Sequence, residues 1–236
     1  MGDNWDDIAS WWIGEATTDP AYATDVHPLF DHLLPSVEGR WVDLGCGEGQ
    51  GMRRIDGTVV GVDLSIELAK VAHRTNPAVV AELPDLSCFA ADSFGGAYSV
   101  YLVDLIGDLA GFFSEAARIV VEGGHLIIVI NHPVYTALGS SPIIDADGEV
   151  LWRWGSYFDV GSSLEEGGGR SIRFFHRPLG SLLTIAAQSG WSLVGMDERA
   201  LSADTIERLP GYEGQDHVPR LLGVHWRLSS ASVSSL

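Results

Sequence analysis

The stretch that decides the fold is Val42-Asp-Leu-Gly-Cys-Gly-Glu-Gly49, an apolar run that passes directly into a glycine-rich turn. Residues 50–55 follow it, and we expect a helix there. Glycines let a ligand approach the backbone, and the start of a helix supplies free N–H donors. The next apolar run ends at Asp63, 20 residues after Asp43, where a carboxylate can accept both hydroxyls of a ribose. The pattern therefore predicts a nucleotide-type binding site.

The glycine spacing separates two classes of nucleotide ligand. A dinucleotide site needs Gly-x-Gly-x-x-Gly, and neither reading frame fits, because the third position is Gln50 counted from Gly45 and Met52 counted from Gly47. The chain instead reads Asp-x-Gly-x-Gly-x-Gly from Asp43. An acid just before the turn suits a ligand that carries an ammonium group rather than a pyrophosphate.

Short apolar runs alternate with amphipathic stretches from Arg40 onward. Near-continuous Val/Ile/Leu runs between helices are typical of a parallel sheet that is covered on both faces. The predicted fold class is α/β, a Rossmann-like doubly wound sheet, mostly parallel, with an antiparallel C-terminal hairpin and inserted lid segments. Gly123-Gly124 is expected to end the helix over 109–121 and to start the strand that follows. The predicted strands are 41–44, 58–62, 78–81, 98–103, 125–130, 191–196 and 221–228, and the predicted helices are 50–55, 66–74, 109–121 and 179–188.

We expect one domain over residues 1–236, in four parts. They are an N-terminal helical cover (1–39), a cofactor-binding core (40–131), a lid insertion (132–178), and a C-terminal helix and hairpin (179–228). Asp19-Pro20 is expected to start a helix within the cover, with the Asp as its cap. The insertion follows the fifth strand at the carboxyl end of the sheet, where ligands bind in such folds, and its length favours a functional role with a hairpin of its own.

The charge balance limits the partners. The chain has 14 basic and 32 acidic residues, a formal net charge of −18, which repels nucleic acids and anionic lipid surfaces. Two cysteines make no disulfide framework, and no zinc-ligand spacing occurs, so we expect no metal. The chain start lacks the pattern of a secretory signal, and the longest apolar run, 126–130, is too short to span a bilayer. We therefore expect a soluble, cytoplasmic protein, and the sequence leaves its oligomeric state open.

Asp43-Leu-Gly-Cys-Gly-Glu-Gly49 resembles motif I of the class I S-adenosylmethionine-dependent methyltransferases, and Val60-Gly-Val-Asp-Leu-Ser65 is similar to their second motif. The stretch from Phe113 to Leu126 resembles the one before their fifth strand, with Glu122 where a proline is common. The resemblance covers residues 40–131 and points to the small-molecule, type 11-like subgroup. It implies S-adenosyl-L-methionine as cofactor and the O- or N-methylation of a small-molecule acceptor.

The resemblance also implies which residues bind the cofactor. In that family the glycine turn holds the methionine part, the second-strand acid holds the ribose, and a residue after the third strand faces the adenine. Glu82-Leu83 is the predicted adenine edge, and Asp92-Ser93 is the alternative that the sequence leaves open. The full predicted set is Asp43, Gly45, Cys46, Gly47, Gly49, Asp63, Leu64, Glu82, Leu83 and Val103.

Catalytic residues are harder to assign. Positioning alone can lower the barrier of an in-line methyl transfer by about 7–11 kcal/mol, so a general base is optional. Leu105 stands where many members of the resembled family have a histidine, which counts against a base at the end of the fourth strand. His132 and His176 are the predicted catalytic residues, although each also fits a hydrogen-bonded structural role. Trp152 and Trp154 alternate along one strand and suit either a substrate wall or core packing.

Two other functions fit the same residues. One is an enzyme of the same fold that uses the cofactor for a different group transfer. The other is a non-catalytic, nucleotide-binding regulatory domain without an acceptor pocket. The acceptor and the methylated atom are not determined by the sequence.

Overall fold

The computed structural model describes residues 5–36 and 38–229. Its helices are α1 (Trp5–Thr18), α2 (His27–Leu33), α3 (Ile66–Ala72), α4 (Leu109–Ile119), α5 (Pro133–Thr136), α6 (Leu179–Gln188) and α7 (Ala203–Arg208). Its strands are β1 (Arg40–Leu44), β2 (Thr58–Asp63), β3 (Ala78–Val80), β4 (Phe94–Val100), β5 (Val120–Asn131), β6 (Ser141–Ile144), β7 (Val150–Arg153), β8 (Gly161–Gly167), β9 (Arg170–His176), β10 (Trp191–Arg199) and β11 (Leu221–Leu228). A π-helical turn, Tyr22–Val26, leads into α2, and 3-10 turns lie at Met52–Arg54, Val103–Leu105 and Pro210–Tyr212. Among the helices of these two ranges, none is long and apolar enough to cross a membrane.

Seven strands form one sheet in the order β10-β11-β5-β4-β1-β2-β3. Within this order, neighbouring strands of the set β5, β4, β1, β2 and β3 pair in parallel. Strand β11 runs antiparallel to both of its neighbours, β5 and β10. Parallel strands buried on both faces need continuous apolar runs, which is the pattern that the sequence carries. The predicted Rossmann-like fold class with its antiparallel C-terminal strand pair is confirmed.

Each face of the sheet has its own core, because successive residues of a strand point to opposite faces. One face packs against α4 and α6, where Phe113 and Trp226 meet edge to face with ring centres 5.5 Å apart. The other face packs against α2, where Phe30 lies 5.0 Å from the ring of Tyr98. These two layers fix the carboxyl ends of β1, β2 and β4 in one row.

The helix predicted over residues 50–55 does not form. A turn leads into the single 3-10 turn Met52–Arg54, and Ile55 is already extended. Glycine at position 51 disfavours helix, and the turn at Asp56-Gly57 leaves too few residues to nucleate one. The helix start that the sequence placed beside the glycine turn is therefore a wrong prediction.

Two boundaries differ in the C-terminal half. Gly123-Gly124 lies within β5 rather than before it, opposite a register shift between Phe94 and Gly96 of β4 that marks a bulge. The connection between β10 and β11 contains α7, although the sequence pattern predicts two strands joined without a helix.

The outer segments follow the prediction in part. Oδ1 of Asp19 accepts the N–H of Ala21 at 2.8 Å, so Asp19 caps the helical segment that begins at Pro20. Residues 132–178 form α5 and two hairpins, β6–β7 and β8–β9, where the sequence predicts one. The division of the chain into cover, core, lid and C-terminal part stays a prediction.

Candidate active site

A cavity of about 330 Å³ opens at the carboxyl ends of β1, β2 and β4. Ligands bind at this edge in open α/β sheets. The glycine turn after β1 lines its floor, and α1, β9 and the segment after β3 line its sides. The lining residues are Trp5, Trp12, Ala16, Tyr22, His27, Phe30, Asp43, Gly45, Cys46, Gly47, Glu48, Gln50, Gly51, Arg54, Asp63, Leu64, Leu68, Ala81, Glu82, Leu83, Val100, Tyr101, Leu102, Leu105, Ile106, Gly107, Arg173 and Phe175.

The glycine turn pairs its own N–H groups with β2. Gly45 and Cys46 both donate to the carbonyl of Val62, at 2.8 and 2.9 Å. Gly47 donates to Oδ2 of Asp63 at 2.7 Å. Because these three donors are already paired within the protein, they are not available to cradle a pyrophosphate.

The predicted cofactor-binding residues of the glycine turn differ in their structural roles. Gly45 has a φ of +77°, which strains any other residue, and a Cβ there would also have to displace a methyl carbon of Leu102 from 2.7 Å. Gly49 has a φ of +86° and packs against Ala72 of α3 rather than lining the cavity. Cys46 lines the cavity, and burial raises the pKa of its thiol, so it acts as a small filler and not as a nucleophile.

Asp63 stands at the end of β2 with both carboxylate oxygens directed by the backbone. Oδ2 accepts the Gly47 N–H, and Oδ1 accepts the Ser65 N–H at 2.9 Å. Burial raises the pKa of Asp63, which these two hydrogen bonds oppose. Each oxygen keeps a second lone pair, so the carboxylate can still accept two hydroxyl groups from a ligand.

A second acid, Asp43, lies at the base of the cavity and is only 3% exposed. Burial raises its pKa well above the usual value; the neighbouring Tyr98 hydroxyl opposes this, and the carboxylates of Asp63 and Glu48 raise it further. Asp43, Glu48 and Asp63 interact with one another at this end of the cavity and give it a negative potential. The arrangement therefore favours a cationic ligand group.

Some of the residues predicted to border the adenine line the cavity, and others do not. Leu64, Glu82 and Leu83 line it beyond β2 and β3. Asp92, the competing candidate, precedes β4 and so lies toward the amino edge of the sheet, away from this cavity. Val103 is the first residue of the 3-10 turn after β4 and is buried in the core, whereas its neighbours Leu102 and Leu105 line the cavity.

An aromatic wall supplies lining residues that the sequence reasoning missed. Trp5 and Trp12 of α1 meet edge to face at 6.0 Å, and Tyr22 lies 6.5 Å beyond Trp12. Phe175 of β9 also lines the cavity. The spacing of Trp5 and Trp12, two helical turns apart, puts both on one face of a helix and is the signal that could have found them.

Polar contacts hold α1 over the cavity. Oδ1 of Asp6 accepts the Ser65 hydroxyl at 2.6 Å and the N–H of Glu67 at 3.2 Å, at the start of α3. Asp7 forms an ion pair with Arg170 of the β8–β9 hairpin at 2.7 Å. The N-terminal helix therefore joins the start of α3 to the inserted hairpin.

His132 is directed away from the cavity and is 3% exposed. Its Nδ1 accepts the N–H of Val134 at 3.1 Å, so Nε2 carries the proton and donates to Oε1 of Glu198 at 2.6 Å. Burial lowers the pKa of His132, and Glu198 opposes this. Both ring nitrogens are used in capping α5 and in joining it to β10.

His176 has the same pattern of contacts. Its Nε2 donates to the carbonyl of Tyr157 at 2.9 Å, so Nδ1 accepts the hydroxyl of Thr136, 3.0 Å away. It is buried between the two inserted hairpins and does not line the cavity. The catalytic roles predicted for His132 and His176 stay predictions, and these contacts give them no support.

The tryptophans of the insertion are also outside the cavity. Trp152 stacks on Tyr135 with ring centres 5.0 Å apart and donates to the carbonyl of Val134 at 3.3 Å. It therefore packs within the insertion. Trp154 follows β7, is 59% exposed and contacts Tyr157. The lining residues from the insertion are Arg173 and Phe175 of β9.

Comparisons with known proteins agree with this geometry. The family model described as "Methyltransferase domain" matches residues 42–128. An S-adenosylmethionine-dependent methyltransferase from Mesorhizobium loti is 28% identical, with a TM-score of 0.73 over 85% of this chain and 96% of that one. A Listeria monocytogenes protein described as a methyltransferase of the same kind is 21% identical, with a TM-score of 0.72 over 88% and 98%. The geranyl diphosphate C-methyltransferase of Streptomyces coelicolor is 17% identical, with a TM-score of 0.56 over 87% and 77%.

No curated protein sequence is similar enough to match the chain. The sheet order, the glycine turn with its paired N–H groups, the carboxylate that ends β2 and the matching domain all agree. Residues 42–128 therefore form a methyltransferase domain, and the chain is similar over most of its length to S-adenosylmethionine-dependent methyltransferases.

Proposed function

We propose that the protein transfers the methyl group of S-adenosyl-L-methionine to an oxygen or nitrogen of a small molecule. One observation carries the proposal: the cavity combines an acid held by two backbone N–H groups, Asp63, with a buried acid at its base, Asp43. The first suits a ribose and the second suits an ammonium group. When bound, the cofactor supplies an electrophilic methyl group on a sulfonium.

Different lining residues bind different parts of the cofactor. Asp63 accepts the ribose hydroxyls with the lone pairs that Gly47 and Ser65 leave open. Asp43 and the turn residues Gly45 and Gly47 hold the amino-acid end, at the base of the cavity. Leu64, Glu82 and Leu83 border the adenine, since they extend along the same wall beyond β3.

A small acceptor is favoured by the closure of the site. The aromatic face of α1 and Phe175 of β9 cover the cavity on two sides, and the space is about 330 Å³. A polymer would have to displace α1 to reach it. The net charge of −18 also repels nucleic acid.

The chain contributes mainly by positioning. Apolar and aromatic lining excludes water from the reacting atoms, and the acids at the floor hold the cationic cofactor in one orientation. The role of His132 and His176 as general bases, and of residues 132–178 as a lid, rests on the sequence reasoning alone, because neither histidine lines the cavity.

Calorimetry on the whole chain tests the cofactor side. S-adenosylhomocysteine and S-adenosylmethionine are expected to bind and to raise the unfolding temperature, as ligands of the folded state do. NAD and NADP are expected to do neither. Stabilisation by the nicotinamide cofactors and not by S-adenosylhomocysteine would contradict the proposal.

The transfer itself is tested with methyl-labelled cofactor and an extract of small metabolites from the source organism. We expect label in a low-molecular-weight product. Label that appears in protein or RNA instead would contradict the small-molecule acceptor while leaving the cofactor assignment intact.

A further inference from the structure

Behind Tyr101, on the side away from the glycine turn, lies an arginine that precedes β11. Nη1 of Arg220 donates to the amide oxygen of Asn131, and its guanidinium carbon lies 3.8 Å from the ring centre of Tyr135 and 6.0 Å from that of Tyr212. None of the ion pairs formed within residues 5–36 and 38–229 includes Arg220. A half-buried guanidinium stacked on aromatic rings, without a carboxylate partner, is a site for an anion.

A buried acid lies in the same cluster. Asp104, in the 3-10 turn after β4, is 7% exposed, and its Oδ2 has no hydrogen-bond partner. Arg177 and Arg220 are close enough to lower its pKa, although neither forms an ion pair with it. Arg177 instead donates to the carbonyls of Val103 and Gly107, at 3.4 and 2.9 Å. A buried oxygen without a donor is costly, so a ligand O–H or N–H would stabilise it.

Tyr101 connects this cluster to the cavity. It lines the cavity at the end of β4, and its ring meets that of Tyr22 edge to face at 5.5 Å. Its φ of +55° is a left-handed conformation that costs energy in a non-glycine residue, and such residues cluster at functional sites. Arg220 and Asp104 both act on its hydroxyl electrostatically. Tyr101 therefore lies between the cofactor cavity and Arg220.

We propose that the methyl acceptor is a small monocarboxylate, anionic at pH 7, whose carboxylate binds Arg220 and whose hydroxyl or uncharged N–H group donates to Oδ2 of Asp104. This inference rests on the proposed function. A carboxylate matches the fork of the guanidinium, and the three tyrosines around it supply apolar contact for the body of the acceptor. A phosphate dianion fits less well, because one arginine flanked by Asp104 cannot balance its charge.

The experiment separates a metabolite extract of the source organism by anion exchange at pH 7 into a neutral-plus-cationic fraction and an anionic fraction. Each fraction is incubated with the protein and methyl-labelled cofactor. We expect labelled product from the anionic fraction, eluting with monoanions. Acceptor activity confined to the other fraction, or eluting with dianions, would overturn the inference. No product from either fraction, with S-adenosylhomocysteine bound, would contradict the proposed small-molecule transfer itself.

Variants at Arg220 test the contact directly. Arg220→Gln is expected to lower methyl transfer to acceptors of the anionic fraction at least about tenfold, because it removes a hydrogen bond between charged groups. Arg220→Lys is expected to lower it by less, because the positive charge is kept. Calorimetry with S-adenosylhomocysteine shows whether each variant folds and keeps its cofactor site. Arg227→Gln, at the other end of β11, is the matched control and is expected to transfer normally.

Normal transfer by a folded Arg220→Gln variant would assign Arg220 to packing and overturn the inference. A variant that does not fold leaves the fractionation result, which needs only the native protein, to decide the acceptor's charge.

Discussion

The two halves of the sheet's carboxyl edge are built differently. At β1 and β2, the carboxylate of Asp63 is satisfied by the N–H groups of Gly47 and Ser65, which lie close to it in the sequence. At β4, β5 and β11, Asp104 and Arg220 come from distant parts of the chain, and an oxygen of Asp104 has no donor. In the first half the acid at the strand end is satisfied by backbone N–H groups, whereas in the second the buried acid keeps an unmatched oxygen.

The electrostatics of the two halves differ as well. Burial raises the pKa of both Asp43 and Asp104, but Asp43 has further acids beside it, whereas Asp104 has Arg177 and Arg220. One half therefore attracts a cation and the other admits an anion. A cationic cofactor and an anionic acceptor would be sorted to their own sides by charge alone.

The largest expected effect that tests this comparison is the effect of Asp104 on the stability of the protein. Burial raises the pKa of Asp104 to about 7, from an ordinary 3.8, so between these values the folded chain holds a proton that the unfolded chain has released. This group's contribution to the free energy of unfolding therefore falls as the pH rises from about 4 to about 7. Asp104→Asn removes the titration and is expected to stabilise the protein at pH 8 by up to about 4 kcal/mol, since each pKa unit corresponds to about 1.4 kcal/mol.

Urea unfolding of the wild type and of Asp104→Asn at pH 5 and pH 8 measures this effect. The stabilising difference should be larger at pH 8 than at pH 5. Asp108→Asn, a solvent-exposed helix cap four residues away, is the control and should show no such gain. An equal difference at both pH values would mean that Asp104 titrates as an ordinary carboxyl.

On the opposite half, Asp63→Ala is expected to weaken cofactor binding by about 2–3 kcal/mol, or about 30- to 150-fold, because charge-assisted hydrogen bonds to the ribose are lost. Calorimetry with S-adenosylhomocysteine gives the affinity. Asp56→Ala removes the same charge from an exposed turn and should bind normally. Unchanged affinity in a folded Asp63→Ala protein would move the ribose elsewhere.

His176 lies in neither half, and its variant tests whether the insertion takes part in chemistry. His176→Ala removes two buried hydrogen bonds, to Thr136 and to Tyr157, and is expected to lower the free energy of unfolding by about 2 kcal/mol. We expect kcat to change less than about threefold, because the ring does not reach the cavity. Unchanged stability with a large loss of kcat would instead support the catalytic role predicted from the sequence.

The smallest effect concerns the ion pair between Asp7 and Arg170, which joins α1 to the inserted hairpin. Both side chains are substantially exposed, so Arg170→Ala should cost less than about 1 kcal/mol of stability. Arg208→Ala, which breaks the exposed pair with Asp204 on α7, is the matched control. A clear loss of cofactor affinity in Arg170→Ala alone would show that this pair helps to hold α1 over the cavity.

Local patterns were enough for the fold and for half of the site. The apolar runs predict a parallel sheet because strands buried on both faces have no polar alternation. Asp43, Gly45, Gly47 and Asp63 could be placed because strand ends and turns bring close sequence neighbours together. The helix predicted for residues 50–55 was wrong, because so short a segment gives helix propensity too little weight against the competing turn.

What the sequence by itself determined is thus the sheet, the glycine turn and the acid at the end of β2, all set by short-range spacing. Only the tertiary structure decided that Trp5 and Phe175 line the same cavity. It also decided that both ring nitrogens of His132 are hydrogen-bonded, and that Arg220 lies close enough to Asp104 to lower its pKa. Contacts between residues far apart in the chain depend on how the helices and inserted hairpins pack on the sheet, and packing leaves no periodic signal in the sequence.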